Sequence, residues 1–234
     1  MRDVIKEYVK IFSESFDIPE TVYEFGALQV PDQIGYADLR IFFSGKEFIG
    51  CDMREGPGVD KILNLHDIDL PDNSVGTVLC LDTLEHVEYP HKALSEIHRI
   101  LKPGGIVLIS SVMECPIHDY PYDYWRFTPE SFRSLLKDFD MFFVDSAGKK
   151  LFPHAVVGIG IKGTNQKENL DRFISYSMEW NQKWQNNVEP YYFEKEFKEK
   201  IELLEKRIIV LEKPGFIGKI KKEIQRITKR YLKK

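Results

Sequence analysis

Cysteine is scarce in this sequence. The 234 residues contain only three, Cys51, Cys80 and Cys115, and no two of them form a C-x-x-C pair. An odd number of widely spaced cysteines excludes a disulfide framework and argues against a structural zinc site. We therefore expect buried thiols and no bound metal.

Long hydrophobic runs are also missing. The longest weakly charged apolar stretches, 104–113 and 151–161, reach about half the length that a membrane-spanning helix needs. The first residues mix charges of both signs with apolar side chains, so no secretory signal is expected. These absences predict a cytoplasmic protein.

Glycine (15) and proline (12) are not enriched, and there is no internal repeat. Hydrophobic residues make up 43% of the chain and charged residues 30%, which is the balance of a globular protein with a buried core. Disordered and collagen-like classes are excluded by this composition.

Basic charge is confined to one end. Eight of the 33 Lys and Arg residues but one of the 37 Asp and Glu residues lie in 214–234, so the rest of the chain carries 25 basic and 36 acidic residues. An acidic body is a poor surface for nucleic acid. We expect no nucleic-acid partner.

Hydrophobic patterning predicts an α/β domain. Residues 4–16 have the spacing of an amphipathic helix, and between 21 and 162 short apolar runs alternate with longer periodic segments. One helix is predicted from its apolar face, which is formed by residues 93, 94, 97, 100 and 101. Another is predicted to begin after the cap residue Thr128. The predicted strands are 21–25, 47–51, 75–81, 105–111, 141–147 and 155–162.

After residue 162 the strand signals end. We expect a domain at 1–163 and a helical extension at 164–234, which closes with a basic amphipathic helix over 216–234. Such a helix has two interpretations, which stay open: it lies on an anionic membrane surface, or its apolar stripe packs on the domain or a second subunit.

Two strand ends suggest a nucleoside site. The first predicted strand runs into Glu24, Phe25, Gly26 and Ala27, and the second runs into Asp52. In a parallel sheet, a glycine after the first strand permits close approach of a ligand, and an acid after the second accepts hydrogen bonds from ribose hydroxyls. The alternative is that Gly26 forms an ordinary turn and that Asp52 caps a helix, with no ligand at either residue.

Longer motifs resemble a known family. The runs are VYEFGA at 22–27, FIGCDMREGPGVD at 48–60, LPDNSVGTVLCLDTLEHV at 70–87, HRILKPGGIVLISSV at 98–112 and IHDYPYDYWRFTPESF at 117–132. With these runs the chain resembles the class I S-adenosylmethionine (SAM) dependent methyltransferases, in particular the small-molecule branch called type 11, over residues 20–147. The LEHV segment at 84–87 followed by R-x-L-K-P-G-G at 99–105 is the most diagnostic part.

The resemblance implies a three-layer Rossmann-like fold with a mostly parallel seven-stranded sheet, the last strand antiparallel, followed by the helical extension. It also implies that SAM is the cofactor. Its methionine and ribose portion would contact Glu24, Phe25, Gly26 and Ala27, and Asp52 would hold the ribose hydroxyls. The adenine would lie near Met53, and its amino group would meet Asp67 or, as the second choice, His66, with Ile68 beside them. The reacting centre would face Leu81 and Asp82.

Catalytic candidates follow the predicted strand 105–111. His118 and Asp119 are placed to remove a proton from a hydroxyl acceptor, with His86 as the competing base, although loop histidines more often serve structure. Arg126 would bind an anionic group of the acceptor or else pair with Asp119 or Asp123. An aromatic wall over the sulfonium or over a sugar face of the acceptor would be formed by Tyr120, Tyr122, Tyr124 and Trp125, or these rings pack on one another.

The 117–132 motif resembles a subgroup associated with surface polysaccharide and glycolipid biosynthesis. The expected function is therefore SAM-dependent O-methylation of a saccharide, glycolipid or other small acceptor, at the inner face of the membrane if that acceptor is lipid-linked. An inactive scaffold subunit of a glycan-assembly complex is the alternative, because the first loop has a single glycine. A nicotinamide-dependent reductase is disfavoured by that single glycine and by the LKPGG turn.

Overall fold

A computed structural model describes residues 1–118, 121–185, 202–203, 222 and 225–226. The chain divides into two compact units, Met1–Val188 and Glu189–Lys234. In the first unit the helices are α1 (Asp3–Ser15), α2 (Pro90–Ile100), α3 (Pro129–Leu136) and α4 (Lys167–Trp184), and the strands are β1 (Val22–Phe25), β2 (Phe48–Asp52), β3 (Lys61–Ile62), β4 (Val75–Leu81), β5 (Leu101–Ser111), β6 (Met141–Lys149) and β7 (Phe152–Ile161).

The seven strands form one sheet in the order β3-β2-β1-β4-β5-β7-β6. Neighbours from β3 to β5 pair in parallel, and β7 runs antiparallel to both β5 and β6. The mostly parallel sheet with an antiparallel last strand confirms the predicted fold. Its central strand β4 is buried along its whole length, as expected for a sheet covered on both faces.

Helices cover both faces of the sheet. Apolar side chains of α1 and α4 form one core with alternate residues of β4 to β7, and those of α2 and α3 form the other. Tyr8 and Trp180 join α1 to α4, with ring centroids 4.5 Å apart and the indole N–H donating to the Val4 carbonyl at 3.0 Å. The first unit is therefore three-layered, with the carboxyl ends of β1, β2, β4 and β5 at one edge.

Local signals determine most helix ends. Thr128 accepts from the Ser131 backbone N–H, and Ser131 Oγ accepts from the Thr128 backbone N–H, so α3 begins with a capping box at the predicted cap. One assignment was wrong: Leu101, predicted on the buried face of α2, pairs with Val75 in the sheet. Pairing of β5 with β4 therefore determines the conformation of Leu101, although the helical spacing of the preceding residues extends to it.

The strands also differ from their predicted bounds. β5 begins four residues earlier than expected, and the two-residue strand β3 was missed because it is too short to show alternation. Cys51 and Cys80 are buried, as expected, whereas Cys115 is half-buried.

Helix α4 belongs to the first compact unit, whereas the sequence pattern placed the start of the extension at 164. The basic helix expected over 216–234 lies outside the described residues, apart from Lys222, Gln225 and Arg226. Among the helices that are described, none has the length and apolarity to cross a bilayer.

Candidate active site

The strand order reverses between β1 and β4. From β1 the chain continues outward to β2 and β3, and it then returns to place β4 on the other side of β1. In open α/β sheets ligands bind outside the carboxyl ends of the strands at such a reversal. Gly26 after β1 and Asp82 after β4 therefore border the expected crevice.

The Gly26 turn is tightly enclosed. Its φ is 84°, a left-handed conformation that glycine adopts at low cost. A Cβ atom there would lie 2.1 Å from Thr83 Oγ1, which itself donates to the Leu81 carbonyl at 2.9 Å. The ends of β1 and β4 thus meet at Gly26 and Thr83.

Replacing Gly26 by alanine is expected to destabilise the protein by about 2 kcal/mol or more, because left-handed strain and a steric clash add. The matched control is Gly45→Ala, since Gly45 has a φ of 79° but no atom beyond its chain neighbours within 4 Å of the position that a Cβ would take. Chemical denaturation of both variants separates strain from crowding. Equal losses would show that the contact with Thr83 has no cost.

Residues 27–30, which directly follow the Gly26 turn, contain no further glycine and are covered by another segment. Amide N–H groups of Gly26 and Ala27 both donate to the Cys51 carbonyl, at 2.9 and 3.0 Å. Gly58, with a φ of 88°, lies so close that a Cβ atom would be 2.4 Å from the Ala27 carbonyl oxygen. A ligand can therefore approach the loop backbone closely, but the N–H groups of Gly26 and Ala27 already donate to Cys51 and are not free to bind it.

Asp52 ends β2 beside this loop, as predicted. Its side chain is 12% exposed, its Oδ1 accepts from the Arg54 backbone N–H at 3.0 Å, and Arg54 Nε lies 3.5 Å away. A carboxylate held this way at a strand end suits a pair of ribose hydroxyls. The neighbouring Met53 is 67% exposed, so its thioether is open to contact with a ligand.

The two candidates for the adenine amino group differ in their surroundings. His66 Nε2 accepts from the Tyr89 backbone N–H at 3.1 Å, so that ring is tied to the start of α2. Asp67 is exposed, and its backbone N–H donates to the Asn64 carbonyl at 3.0 Å, which leaves its carboxylate out of that contact. Ile68 is buried and donates its N–H to Glu96. The carboxylate of Asp67 is thus the more available of the two.

Glu24 is a buried acid one residue from the end of β1. It is 7% exposed, and this burial raises the pKa of its carboxyl to about 8, with Arg40 opposing the shift and Asp38 adding to it. Phe25, the last residue of β1, packs in the core. A neutral acid at this position becomes ionised when a cation binds beside it.

Asp82, next to the buried Leu81 at the end of β4, is held by the N-terminal segment. Its carboxylate accepts from Arg2 Nη2 at 2.6 Å, from Arg2 Nε at 2.8 Å and from Ser110 Oγ at 2.9 Å. Burial opposes ionisation, but the Arg2 charge and these hydrogen bonds outweigh it and lower the pKa of Asp82. Asp82 is therefore a charged anchor for the segment that leads into α1, in addition to its predicted place at the reacting centre.

Three further groups meet between β4 and β5. Glu85, His86 and His118 each place a potential ligand atom within 4.8 Å of the others, and the two imidazole rings meet edge to face with centroids 4.8 Å apart. Glu85 is buried and accepts from Ser111 Oγ at 2.6 Å. Burial and the nearby Asp82 charge raise the pKa of Glu85 to about 7, against the effect of that hydrogen bond.

His118 is poorly suited to the predicted role of base. Its contact with Cys115, together with the Pro116 carbonyl and Asp123, raises the pKa of the ring to about 9, against the opposing effect of burial. A ring that keeps its proton at neutral pH removes protons weakly. Asp119, the other predicted catalytic residue, lies outside the described residues.

His86 presents a different arrangement. Its Nδ1 lies 2.7 Å from the Tyr122 carbonyl oxygen. A carbonyl only accepts hydrogen bonds, so the proton sits on Nδ1 and the lone pair on Nε2. His86 thus presents Nε2, rather than Nδ1, to an acceptor proton.

Arg126 fills a structural role. Its guanidinium donates to both Asp123 carboxylate oxygens at 2.6 and 2.8 Å and to the backbone carbonyls of Cys115, Pro116 and Trp125. This is the structural alternative that the sequence left open, with Asp123 as the partner. A guanidinium with these donors engaged has little left for an acceptor.

The aromatic candidates lie at the surface beside this ion pair. Tyr122, Tyr124 and Trp125 are 62%, 41% and 44% exposed. The indole N–H of Trp125 donates to the Val87 carbonyl at 3.0 Å, which fixes the ring beside the loop after β4. Exposed, partly fixed aromatic rings at this edge remain available to an acceptor.

Arg2, Ser110, Ser111 and Glu85 were not among the site residues predicted from the sequence. The adjacent acid and histidine at 85–86, directly after a buried strand, were a signal for Glu85. Arg2 gave no local signal, because its partner lies 80 residues away.

Comparisons with known proteins place these residues in context. Residues 47–109, from β2 to most of β5, match the family model described as a methyltransferase domain. The chain is 38% identical over 66 residues to the ubiquinone/menaquinone biosynthesis C-methyltransferase UbiE of Brucella canis, covering 27% of this chain and 24% of that protein. It is also 38% identical over 74 residues to the probable methyltransferase ltbC of Aspergillus luteorubrus, covering 29% and 25%. The chain thus spans about a quarter of these curated relatives.

Two solved structures are similar over most of the first unit. A SAM-dependent methyltransferase from Archaeoglobus fulgidus has a TM-score of 0.54 and 16% identity, over 69% of this chain and 95% of that one. The 1,6-didemethyltoxoflavin-N1-methyltransferase of Burkholderia thailandensis, solved with 1,6-didemethyltoxoflavin and S-adenosylhomocysteine bound, has a TM-score of 0.51 and 18% identity, over 69% and 79%. The chain shares their fold.

Proposed function

We propose that the protein is a SAM-dependent methyltransferase. The observation that carries the proposal is the crevice at the strand-order reversal, where the Gly26 turn and the Asp52 carboxylate end neighbouring parallel strands. The match of residues 47–109 to a methyltransferase domain supports it. Fold alone would not, because one fold serves many activities.

The residues at this edge fit the cofactor. Asp52 would accept hydrogen bonds from the ribose hydroxyls, Glu24 would face the cationic amino group, and Asp67 would meet the adenine amino group. Met53 and Ile68 would border the adenine ring, and the glycine turn would admit the ligand close to the backbone. When bound, SAM supplies an electrophilic methyl group on a sulfonium sulfur that leaves as a neutral thioether.

For this reaction the chain has to align an acceptor and receive its proton. We propose a hydroxyl of a saccharide, glycolipid or other small molecule, laid against Tyr122, Tyr124 and Trp125. The hydroxyl proton would pass to the Glu85, His86 and His118 cluster when the acceptor oxygen takes the methyl group. His86 Nε2 is the accessible lone pair there. The local likeness to a C-methyltransferase makes a carbon atom the second candidate acceptor.

The deciding experiment is calorimetric titration with SAM and with S-adenosylhomocysteine. The protein is first unfolded and refolded, which removes any co-purified ligand, and the refolded protein is then titrated. Micromolar binding of both is expected, followed by transfer of labelled methyl groups to sugar or lipid-linked acceptors. Binding of neither would favour the scaffold alternative. NADH, titrated in parallel, is expected to show no binding.

Binding of SAM near pH 7 is expected to release a proton from Glu24. The free carboxyl has a pKa of about 8 and is mostly protonated there, whereas a cationic amino group beside it favours the ionised form. Titrations in buffers of different ionisation enthalpy count the released protons. Glu24→Gln should remove the Glu24 contribution, and a wild-type proton count equal to that of Glu24→Gln would contradict this assignment.

We propose that the basic segment 216–234 contacts either an anionic membrane surface or a second subunit. A lipid-linked acceptor would place the protein at the inner membrane face. Co-sedimentation of the full chain with anionic liposomes, compared with a chain truncated at Pro214, tests the membrane contact.

A further inference from the structure

The proposed methyl transfer needs one proton acceptor from the cluster of Glu85, His86 and His118, namely His86 Nε2, and gives no reason for the other two groups. Two imidazoles and one carboxylate are a donor set preferred by divalent first-row transition metals. Their potential ligand atoms lie within 4.8 Å of one another. Around a metal with bonds of about 2.1 Å, such atoms are roughly 3–3.5 Å apart, so modest side-chain rotation brings them to bonding distance.

Both histidines are oriented as metal ligands commonly are. His86 Nδ1 lies 2.7 Å from the Tyr122 carbonyl oxygen, and His118 Nδ1 lies 3.0 Å from the Pro116 carbonyl oxygen. Because carbonyls only accept, each Nδ1 carries a proton directed at the backbone. Within the described residues, Nε2 of neither ring has a hydrogen bond, so it is the nitrogen left to bind a metal. On His118 the metal would displace the proton that the free ring keeps at neutral pH. This pattern of a ring N–H held by a carbonyl is typical of metal-bound histidine.

The carboxylate is supported in the same way. Glu85 is 1% exposed, and Ser111 Oγ donates to its Oε2 at 2.6 Å. Backbone N–H groups of Tyr124 and Trp125 donate to the Glu85 carbonyl at 2.8 and 3.2 Å, which ties the loop that follows His118 to the ligand-bearing turn. The three donors are thus fixed by contacts from β5 and from the 121–126 segment.

We propose that Glu85, His86 and His118 bind one divalent transition-metal ion at the acceptor side of the crevice. Such an ion departs from the expectation of no metal, and its role rests on the proposed function. Three protein ligands leave coordination positions open, as in catalytic metal sites. A metal on His86 Nε2 would occupy the lone pair that otherwise receives the acceptor proton. An acceptor hydroxyl bound to the metal would instead ionise more readily, release its proton to solvent and present its oxygen to the methyl group.

Cobalt(II) is the probe for this site, because its visible absorption bands report nitrogen and oxygen ligation. The full chain, stripped with a chelator and dialysed, is titrated with Co²⁺, and Zn²⁺ is then added as competitor. One tight site per chain is expected, with loss of the bands on addition of Zn²⁺. His86→Ala and His118→Ala should each weaken Co²⁺ binding at least tenfold.

The matched control is His91→Ala, because His91 is an exposed histidine on α2 outside the cluster. It should leave the affinity unchanged, and circular dichroism of each variant checks folding. Wild-type affinity no higher than that of the His86→Ala/His118→Ala double variant would overturn the metal site. Titration with S-adenosylhomocysteine without metal separates this failure from failure of the proposed function, since Asp52 and Glu24 are not in the cluster.

Discussion

Asp52→Ala is expected to weaken binding of SAM and S-adenosylhomocysteine by about 100-fold. The carboxylate would accept two hydrogen bonds from ribose hydroxyls, and a hydrogen bond to a charged group contributes about 1.5–3 kcal/mol. Asp52 is mostly buried at the end of β2, where its Oδ1 is already oriented by the Arg54 backbone N–H. Little ordering therefore remains to be done when the ligand binds.

Calorimetry on the wild type and three variants measures this effect. Asp52→Asn keeps the shape and some hydrogen bonding, so its affinity should lie between those of the wild type and Asp52→Ala. Asp138→Ala removes an exposed acid far along the chain from the strand ends and should bind as the wild type does. Unchanged affinity in Asp52→Ala would mean that the ribose is held elsewhere.

Much of the fold could be predicted from local patterns. Proline and glycine after residue 101, the Thr128 cap and the apolar runs of β4 and β5 report on structure formed by neighbours in the sequence. Leu101 shows where such patterns mislead, since helical spacing placed it on α2 and strand pairing with Val75 placed it in β5. Strand β3 has only two residues, which is too short to leave a pattern.

The candidate site was predictable to the extent that its residues follow strands. Asp52 ends a strand, and Gly26 and Asp82 directly follow strands, whose order brings all three residues to one edge of the sheet. Sequence position and topology therefore agree. The environment of each side chain was not predictable in the same way. Arg126 was assigned to the acceptor or to a structural pair, and only the Asp123 contacts distinguish them.

Arg2→Ala is expected to lower the free energy of unfolding by about 3 kcal/mol, because it leaves the Asp82 carboxylate mostly buried without its partner. Arg2 and Asp82 are 13% and 20% exposed and share two hydrogen bonds. Arg2 Nη1 also donates to the carbonyl of His154 in β7 at 2.8 Å, so the substitution removes that hydrogen bond as well. Lys10→Ala breaks an exposed pair with Glu14 on α1 and should have almost no effect.

The pH dependence of this difference identifies its origin. The pKa of Asp82 is lowered in the folded protein, so its ion pair contributes fully above the ordinary carboxyl pKa of the unfolded chain and is lost as pH falls through the folded value. The gap between wild type and Arg2→Ala should therefore be widest near pH 7 and narrow below about pH 4. A double variant, Arg2→Ala with Asp82→Asn, should recover part of the loss, because it removes the unpaired charge. A gap that is constant with pH would assign the effect of Arg2 to packing rather than to its charge.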